Sequence, residues 1–147
     1  MDRLIEKLIL RPDHWGIMLA DVNGRTKEEA CGLVGGKDHT SKAVFPVTNI
    51  LHSRSRYRMD PEEQLKIFNQ LDENQWELLA IYHSHLQGPS GPSSIDIIEA
   101  MYPGVIYLIW SRLGSEWDCQ GYLIDKEIVK QVPIFLVEDD QFSDQIG

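Results

Sequence analysis

Two histidines separated by one residue, His83 and His85, end a mostly apolar run of the sequence. Side chains two positions apart on a β-strand point to the same face, so the two imidazoles are expected to converge. Asp96 follows at the start of a predicted short helix, where its carboxylate could meet them. Zinc binds histidine nitrogen and carboxylate oxygen, and a catalytic zinc keeps three protein ligands. These residue types predict a metal site at His83, His85 and Asp96.

Each half of this pattern also has an ordinary structural interpretation. A His-x-His pair at the end of a strand is often two surface histidines, and Ser93 with Asp96 has the spacing of a capping box at a helix N-terminus. The two halves are joined by a stretch rich in Gly, Pro and Ser that is long for a compact domain. The combination therefore favours the metal site over either half taken alone.

A metal-dependent hydrolase also needs a group that accepts a proton from water, because proton transfer by a positioned carboxylate typically contributes about 10²–10⁴-fold. Glu28 and Glu29 are the candidates, since they come just before the apolar run 31–36. Alternation along a strand sends the two side chains to opposite faces, so only one could face the site. For both of them a solvated glutamate stays an alternative.

The elements that must hold these side chains are those of an α/β domain. Apolar runs, helix caps and Gly or Pro breaks predict strands at 4–10, 31–36, 43–51, 76–82, 105–111, 117–125 and 128–137, and helices at 14–21, 61–71 and 93–101. Elements in this mixed order predict a single mixed β-sheet flanked by helices. We expect one domain over residues 1–137 and a solvated acidic tail over 138–147.

Three short segments together resemble the motif of the JAMM (MPN+) zinc metalloproteases in their compact prokaryotic form: EACGL from Glu29, HSH from His83 and SSID from Ser93. The resemblance extends from the N-terminal strand to about residue 110, and the spacing from the second histidine to the aspartate matches without a gap. The family glutamate stands two residues before its cysteine, which selects Glu29 over Glu28. The resemblance implies an MPN domain with an architecture like that of cytidine deaminases.

The resemblance also implies a role for each matched residue. Three of them would bind one zinc ion per chain, and two would act on the substrate. The metal ligands are His83, His85 and Asp96, the general acid and base is Glu29, and the group that stabilises the tetrahedral oxyanion is Ser93.

In function, the resemblance implies hydrolysis of the peptide or isopeptide bond after the C-terminal tail of a ubiquitin-like or sulfur-carrier protein. Only eight residues separate Asp96 from Val105, so the long second insertion of specialised eukaryotic deubiquitinases is absent. Leu86 stands where the family usually has proline, which removes a restraint on φ from this loop. The modifier, the kind of bond and the effect of Leu86 stay open. A non-catalytic MPN-type scaffold that binds a ubiquitin-like partner is the alternative.

A short basic segment, 53–59, contains Arg54, Arg56 and Arg58 in an otherwise acidic chain. Guanidinium groups are suited to orienting acidic groups or backbone carbonyls of a substrate. We therefore predict that these three arginines bind substrate, and a solvated loop is the alternative.

Composition and motifs exclude several other classes. With 14 Lys and Arg against 23 Asp and Glu, the net charge of −9 opposes binding to nucleic acid. No apolar run reaches the ~20 residues of a membrane span and the N-terminus is unlike a signal peptide, so we predict a cytoplasmic protein without a membrane partner. The missing G-x-S-x-G, P-C-x-x-C and H-E-x-x-H motifs argue against serine hydrolases, zinc deaminases and helical zincins. Whether the chain forms a homodimer stays open.

Overall fold

The computed structural model describes residues 7–138, which form eight strands and three helices. The strands are β1 (Leu8–Leu10), β2 (Cys31–Lys37), β3 (Thr40–Val47), β4 (Glu77–His85), β5 (Ile106–Leu113), β6 (Glu116–Asp125), β7 (Ile128–Val132) and β8 (Ile134–Leu136). The helices are α1 (Pro12–Gly24), α2 (Pro61–Asn74) and α3 (Ser94–Glu99). Residues 4–6 of the predicted first strand and 139–147 of the predicted tail lie outside the described residues. Within the described range, no helix has the length and apolar character needed to cross a bilayer.

All eight strands belong to one mixed sheet in the order β7-β6-β5-β4-β2-β3-β1-β8. β4 lies near the middle, parallel to β5 and antiparallel to β2. The two outermost strands, β7 and β8, are separated in sequence by Pro133 alone, so the sheet must curl until its two edges approach each other. The α/β class and the single mixed sheet predicted from the sequence are confirmed.

Two apolar clusters hold the helices against opposite faces of this sheet. Met18 and Val22 of α1 belong to the first cluster together with Trp110 of β5. Ile67 and Leu71 of α2 belong to the second cluster. Residues of β5 alternate between the two clusters, as expected for a strand that is covered on both faces. The sheet is therefore flanked by helices, as predicted.

β4 is the strand that carries the two candidate ligands, and it is buried without interruption from Leu79 to His85. An unbroken apolar run is typical of a strand covered on both faces. Because β4 and β5 are parallel, their carboxyl ends meet at the same edge of the sheet, where the chain leaves β4 toward α3. The histidines thus lie at a buried strand end and not on a solvated loop.

Several element boundaries differ from the predictions, including the ends of β4, at His85 and not residue 82, and of α2, at Asn74 and not residue 71. α1 continues to Gly24 because Arg25 closes its last turn by donating its backbone N–H to a carbonyl within the helix. β3 ends at Val47, its last residue paired with β2, and Asn49 instead forms an isolated β-bridge with Met59. The predicted strand over 128–137 is two strands, since Pro133 has no N–H to donate to a ladder. α3 ends at residue 99 instead of 101.

Candidate metal centre and catalytic cleft

The metal ligands predicted from the sequence lie together at the end of β4. His83 Nε2 is 3.1 Å from His85 Nε2, and the two nitrogens lie 3.2 and 2.9 Å from Asp96 Oδ1 and Oδ2 respectively. One ligand atom of each residue lies within 4.8 Å of the others. His83 and His85 are only 1% and 4% exposed, so the three residues form a buried cluster and not a set of surface groups.

Strand alternation explains why the two imidazoles converge. His83 and His85 share one face of β4, whereas Ser84 between them points to the other. Ser84 is fully buried, and its Oγ accepts a hydrogen bond from the Ala30 N–H at 2.8 Å. The Ser84 N–H donates in turn to the Ala30 carbonyl at 3.0 Å. This pair of bonds fixes the histidine-bearing end of β4 beside the residue that directly follows Glu29.

His85 is oriented by the loop that follows it. Its Nδ1 lies 2.7 Å from the Pro89 carbonyl oxygen. Because a carbonyl only accepts, Nδ1 donates the proton of this bond, and Nε2 is the nitrogen that faces the other two ligands. Burial lowers the pKa of His85, but hydrogen bonds to Asp96 and Pro89 outweigh burial and leave this pKa above its ordinary value.

His83 is held by packing instead. The ring of Tyr57 stacks on its imidazole with 4.6 Å between ring centroids and an angle of 27° between the planes. His83 Nδ1 is buried and has no hydrogen-bond partner among residues 7–138. The two imidazoles therefore face Asp96 for different reasons, one through a hydrogen bond and the other through an aromatic contact.

Asp96 reaches the histidines from the first turn of α3. Ser93 Oγ accepts from the Asp96 N–H at 3.1 Å, and Asp96 Oδ2 accepts from the Ser93 N–H at 2.9 Å, which makes a capping box. The helix-cap interpretation is thus confirmed, and the same carboxylate also contacts both imidazoles. Burial opposes ionisation of Asp96, but hydrogen bonds from His83 and His85 hold its pKa far below its usual range.

This donor set fits a metal cofactor. Imidazole nitrogen and carboxylate oxygen are ligands that divalent zinc takes, and three protein ligands is the number typical of a catalytic zinc site. The partly buried Asp96 has a lowered pKa and so supplies negative charge, and the Pro89 contact already turns one imidazole nitrogen toward the cluster. The three residues can therefore hold a divalent cation without a change of fold.

Glu29 lies next to these ligands in a cleft of about 300 Å³, which is also lined by Arg54, His85 and Ser93. Glu29 is only 5% exposed. Burial raises the pKa of Glu29 to about 8, an effect that His85 opposes and Asp96 reinforces. A carboxyl group with this pKa can both accept and donate a proton near neutral pH.

Glu28 belongs to a different cluster. Its Oε1 lies 2.8 Å from His52 Nδ1, and its Oε2 lies 3.6 Å from Arg25 Nη1. Glu29 lines the cleft and Glu28 does not, which agrees with the opposite directions expected from alternation. The catalytic role of Glu29 itself stays a prediction.

The three arginines predicted to bind substrate lie in different surroundings. Arg54 lines the cleft, and its Nη1 donates to the Thr26 carbonyl at 3.1 Å. Arg56 forms an ion pair with a glutamate of α3. Arg58 lines a second cavity, of about 420 Å³. Of the three, Arg54 is the one that shares the cleft with the candidate base.

Several residues that position the site were not singled out from the sequence. Ser84 lies inside the HSH segment, so strand alternation could have placed its side chain on the face of β4 opposite the two histidines. Tyr57 lies among the three arginines, and its stacking on His83 has no signal in the spacing. Asn49 was placed inside a predicted strand, although its carboxamide binds the Glu29 carbonyl at 3.0 Å.

Known proteins resemble this chain along most of its length. Residues 11–120 match the family described as prokaryotic homologs of the JAB domain. The chain is 30% identical to the CysO-cysteine peptidase of Mycobacterium tuberculosis, covering 89% of this chain and 92% of the relative. It is 31% identical to the desampylase of Pyrococcus furiosus, covering 73% and 76% respectively.

A solved structure agrees with these matches. A protein of Desulfitobacterium hafniense known from its solution structure shares 33% identity with this chain at a TM-score of 0.79, covering 89% of this chain and 93% of that one. The matched family, the relatives and the fold all point to one assignment. The chain belongs to the prokaryotic JAB-domain family, the compact prokaryotic form of the JAMM/MPN proteins.

Proposed function

We propose that this protein is a zinc-dependent peptidase or isopeptidase that hydrolyses the bond after the C-terminal tail of a ubiquitin-like or sulfur-carrier protein. The observation that carries the proposal is the convergence of His83, His85 and Asp96, of which His85 lines the same cleft as the buried Glu29. The family and the peptidase names of its relatives support the same class of reaction.

His83, His85 and Asp96 would hold one zinc ion per chain. When bound, zinc acts as a Lewis acid that polarises a carbonyl and makes water more acidic. The chain's own part is to keep the three donors fixed, which the Tyr57 stack and the Pro89 carbonyl do for the imidazoles. The capping box does the same for the carboxylate.

Glu29 is proposed as the general base and acid. In its ionised form it takes a proton from the attacking water, and in its protonated form it gives the proton to the leaving amine. Its pKa of about 8 supports both steps, because a group that titrates near the working pH is populated in each form. Its burial also keeps bulk water away from the carboxylate.

Ser93 is proposed to stabilise the oxyanion of the tetrahedral intermediate. Its Oγ accepts the N–H of Asp96, so its own hydroxyl hydrogen is left to donate to an oxygen in the cleft. A positioned donor of this kind acts where charge develops in the transition state. Ser93 lines the same cleft as Glu29, which supports a role for both groups on one bound carbonyl.

Arg54 is the strongest candidate for contact with the substrate among the three arginines. It lines the cleft, and its bond to the Thr26 carbonyl uses one of its five N–H donors. The remaining donors could bind a carbonyl of the tail or an acidic group near the scissile bond. Arg56 and Arg58 would act on parts of the substrate that lie outside this cleft.

The wider expectations from the sequence also enter the proposal. Residues 1–137 would form the catalytic domain and 138–147 an acidic tail, and the protein would act in the cytoplasm without nucleic acid or membrane. The excess of acidic residues supports the exclusion of nucleic acid.

The function is tested with the purified wild-type chain and a panel of ubiquitin-like and sulfur-carrier proteins that carry a C-terminal extension or an isopeptide-linked amine. We expect one zinc ion per chain by elemental analysis, and product masses that place the cut directly after the tail. Removing zinc with a chelator should abolish cleavage, and added zinc should restore it. A chain that binds zinc and one of these partners but cleaves none would contradict the peptidase and favour the scaffold.

A further inference from the structure

Asn49 lies just beyond β3 and is completely buried, at 0% exposure. Its carboxamide makes four hydrogen bonds. Asn49 Nδ2 donates to the carbonyls of Glu29 and Arg56 at 3.0 and 3.2 Å. Asn49 Oδ1 accepts from the N–H groups of Leu51 and Arg58, each at 3.1 Å.

The four bonds use both donors and two acceptor positions of the carboxamide, so no polar atom of the side chain is left unpaired. Their directions also fix the orientation of the amide, because the two carbonyls can only accept and the two backbone N–H groups can only donate. A fully satisfied buried network of this kind imposes one geometry on the segments that it joins. Asn49 therefore joins Glu29 to the loop 50–58 in a single arrangement.

The same loop holds Glu29 a second time. The Glu29 N–H donates to the Ser53 carbonyl at 2.7 Å, while the Glu29 carbonyl accepts from Asn49. Both backbone groups of the candidate base are thus bonded to residues 49–58. The direction of the Glu29 carboxylate depends on this loop.

The loop also reaches the rest of the cleft. It carries Arg54, which lines the cleft, and Tyr57, which stacks on His83. The carboxamide of Asn49 spans the loop, since it binds Leu51 at one end and Arg58 at the other. One buried side chain therefore connects the base, the cleft arginine and the aromatic support of a metal ligand.

We propose that Asn49 is a positioning residue for the reaction, which holds Glu29 and the loop 50–58 as one unit so that the carboxylate and Arg54 face the same bound substrate. Its effect on turnover rests on the proposed function, whereas its effect on the Glu29 backbone does not. A purely structural asparagine would lower the melting temperature without changing turnover. A positioning asparagine should lower kcat in protein that is folded and loaded with zinc.

The test compares Asn49→Asp with the wild type. This variant keeps the size of the side chain and its acceptor oxygen Oδ1 but replaces the donor nitrogen by an oxygen that faces two carbonyls. We expect kcat to fall by about 10- to 100-fold, as for a small displacement of a catalytic group. Zinc content should remain at one per chain, and hydrogen exchange of the Glu29 amide should become faster.

Asn49→Ser is a second, uncharged variant, which replaces Asn49→Asp in the test if the buried charge of Asn49→Asp prevents folding. It should speed exchange at the amides of Glu29, Leu51 and Arg58 together and lower kcat in the same direction. Ser41→Ala is the matched control for the loss of a buried hydrogen-bonding side chain, since Ser41 is also 0% exposed and bonds Arg11 N–H away from the cleft. It should lower the melting temperature and leave kcat within about twofold of the wild type.

Unchanged kcat and unchanged exchange at Glu29 in both Asn49 variants would overturn the inference, as would a fall in kcat of the same size in Ser41→Ala. The proposed function fails separately, if the wild type cleaves none of its candidate substrates. In that case hydrogen exchange at the Glu29 amide still tests whether Asn49 holds Glu29 in place. Faster exchange in the Asn49 variants supports this role, and unchanged exchange refutes it.

Discussion

The two halves of the cleft are built in different ways. The ligand half, which is His83, His85 and Asp96, comes from the single segment 83–96 and is held by contacts of its side chains. The base half, which is Glu29, Asn49 and the loop 50–58, joins segments twenty residues apart through hydrogen bonds of the Asn49 side chain to backbone groups. Loss of one side chain should therefore cost the ligand half its metal, whereas in the base half the loss of Glu29 or of its support Asn49 should lower turnover and leave the metal bound.

Removal of a ligand is expected to have the largest effect. His85→Ala deletes one of three donors and should weaken zinc binding by more than about 10²-fold, with hydrolysis lost as well. Zinc affinity is measured by competition with a chelating dye. The control is His52→Ala, which removes an exposed imidazole that pairs with Glu28 and should keep zinc. Wild-type zinc affinity in His85→Ala would contradict the assignment of the ligand half.

The two halves contact each other where Tyr57, in the loop of the base half, stacks on His83 of the ligand half. Substitution of Tyr57 tests this contact. Tyr57→Leu removes the aromatic stack and should weaken zinc binding by about 10-fold, the size typical of groups that orient a ligand. Tyr57→Phe keeps the ring and should bind zinc nearly as tightly as the wild type. Equal affinities of the Leu and Phe variants would show that the stack does not hold the ligand.

The carboxyl groups of the two halves, Glu29 and Asp96, should also titrate in different pH ranges, measured on chelator-treated protein. The pKa of Glu29 is raised from 4.5 to about 8, so protonated Glu29 favours the folded state. This stabilisation is complete below pH 4.5 and is lost as the pH rises through 8. The pKa of Asp96 is lowered, so its contribution is present above its ordinary value of 3.8 and is lost only in stronger acid.

Between pH 5 and pH 9, Glu29 of the base half titrates whereas Asp96 of the ligand half does not, and the His85 contribution is common to the wild type and Glu29→Gln. Glu29→Gln should gain free energy of unfolding relative to the wild type over this range, by about 2–4 kcal/mol at pH 9. Urea denaturation at the two pH values measures the gain. A difference between variant and wild type that does not change with pH would contradict the raised pKa.

The loop that supports His85 should give the smallest effect. Gly88 has φ of +86°, and a Cβ added there meets nothing within 4 Å, so Gly88→Ala costs backbone strain alone. Strain of about 1 kcal/mol would shift the Pro89 carbonyl slightly and weaken zinc binding by about fivefold at most. In the same loop, the Cβ added by Gly91→Ala would lie 3.4 Å from the Tyr122 hydroxyl, an ordinary van der Waals distance. This variant should bind zinc like the wild type. A larger loss of zinc affinity in Gly91→Ala than in Gly88→Ala would contradict this account.

The same contrast explains how much could be predicted from the sequence. The ligand half is local, so alternation along β4 and the capping box of α3 were enough to bring His83, His85 and Asp96 together. The mixed sheet followed from the order of apolar runs and breaks. The presence of Pro133 could have predicted that the last strand is divided in two, because proline has no N–H to donate to a neighbouring strand.

The base half could not be predicted to the same extent. Alternation separated Glu28 from Glu29, but it gave no sign that Asn49 would bind the Glu29 carbonyl, since such a contact depends on where the chain returns in space. Asn49 was assigned to a strand that in fact ends at Val47. The burial that raises the pKa of Glu29 is likewise a property of the folded cleft and not of the neighbouring residues in sequence.

The most direct test of the central claim compares Glu29→Gln with Glu28→Gln in zinc content and in cleavage of a tailed carrier protein. Both variants replace a carboxyl group by a carboxamide at neighbouring positions, but only Glu29 lines the cleft that the metal ligand His85 also lines. We predict that both bind one zinc ion per chain, that Glu28→Gln cleaves at nearly the wild-type rate, and that Glu29→Gln loses at least about 10²-fold in kcat. Cleavage by Glu29→Gln at the rate of the wild type would contradict the account.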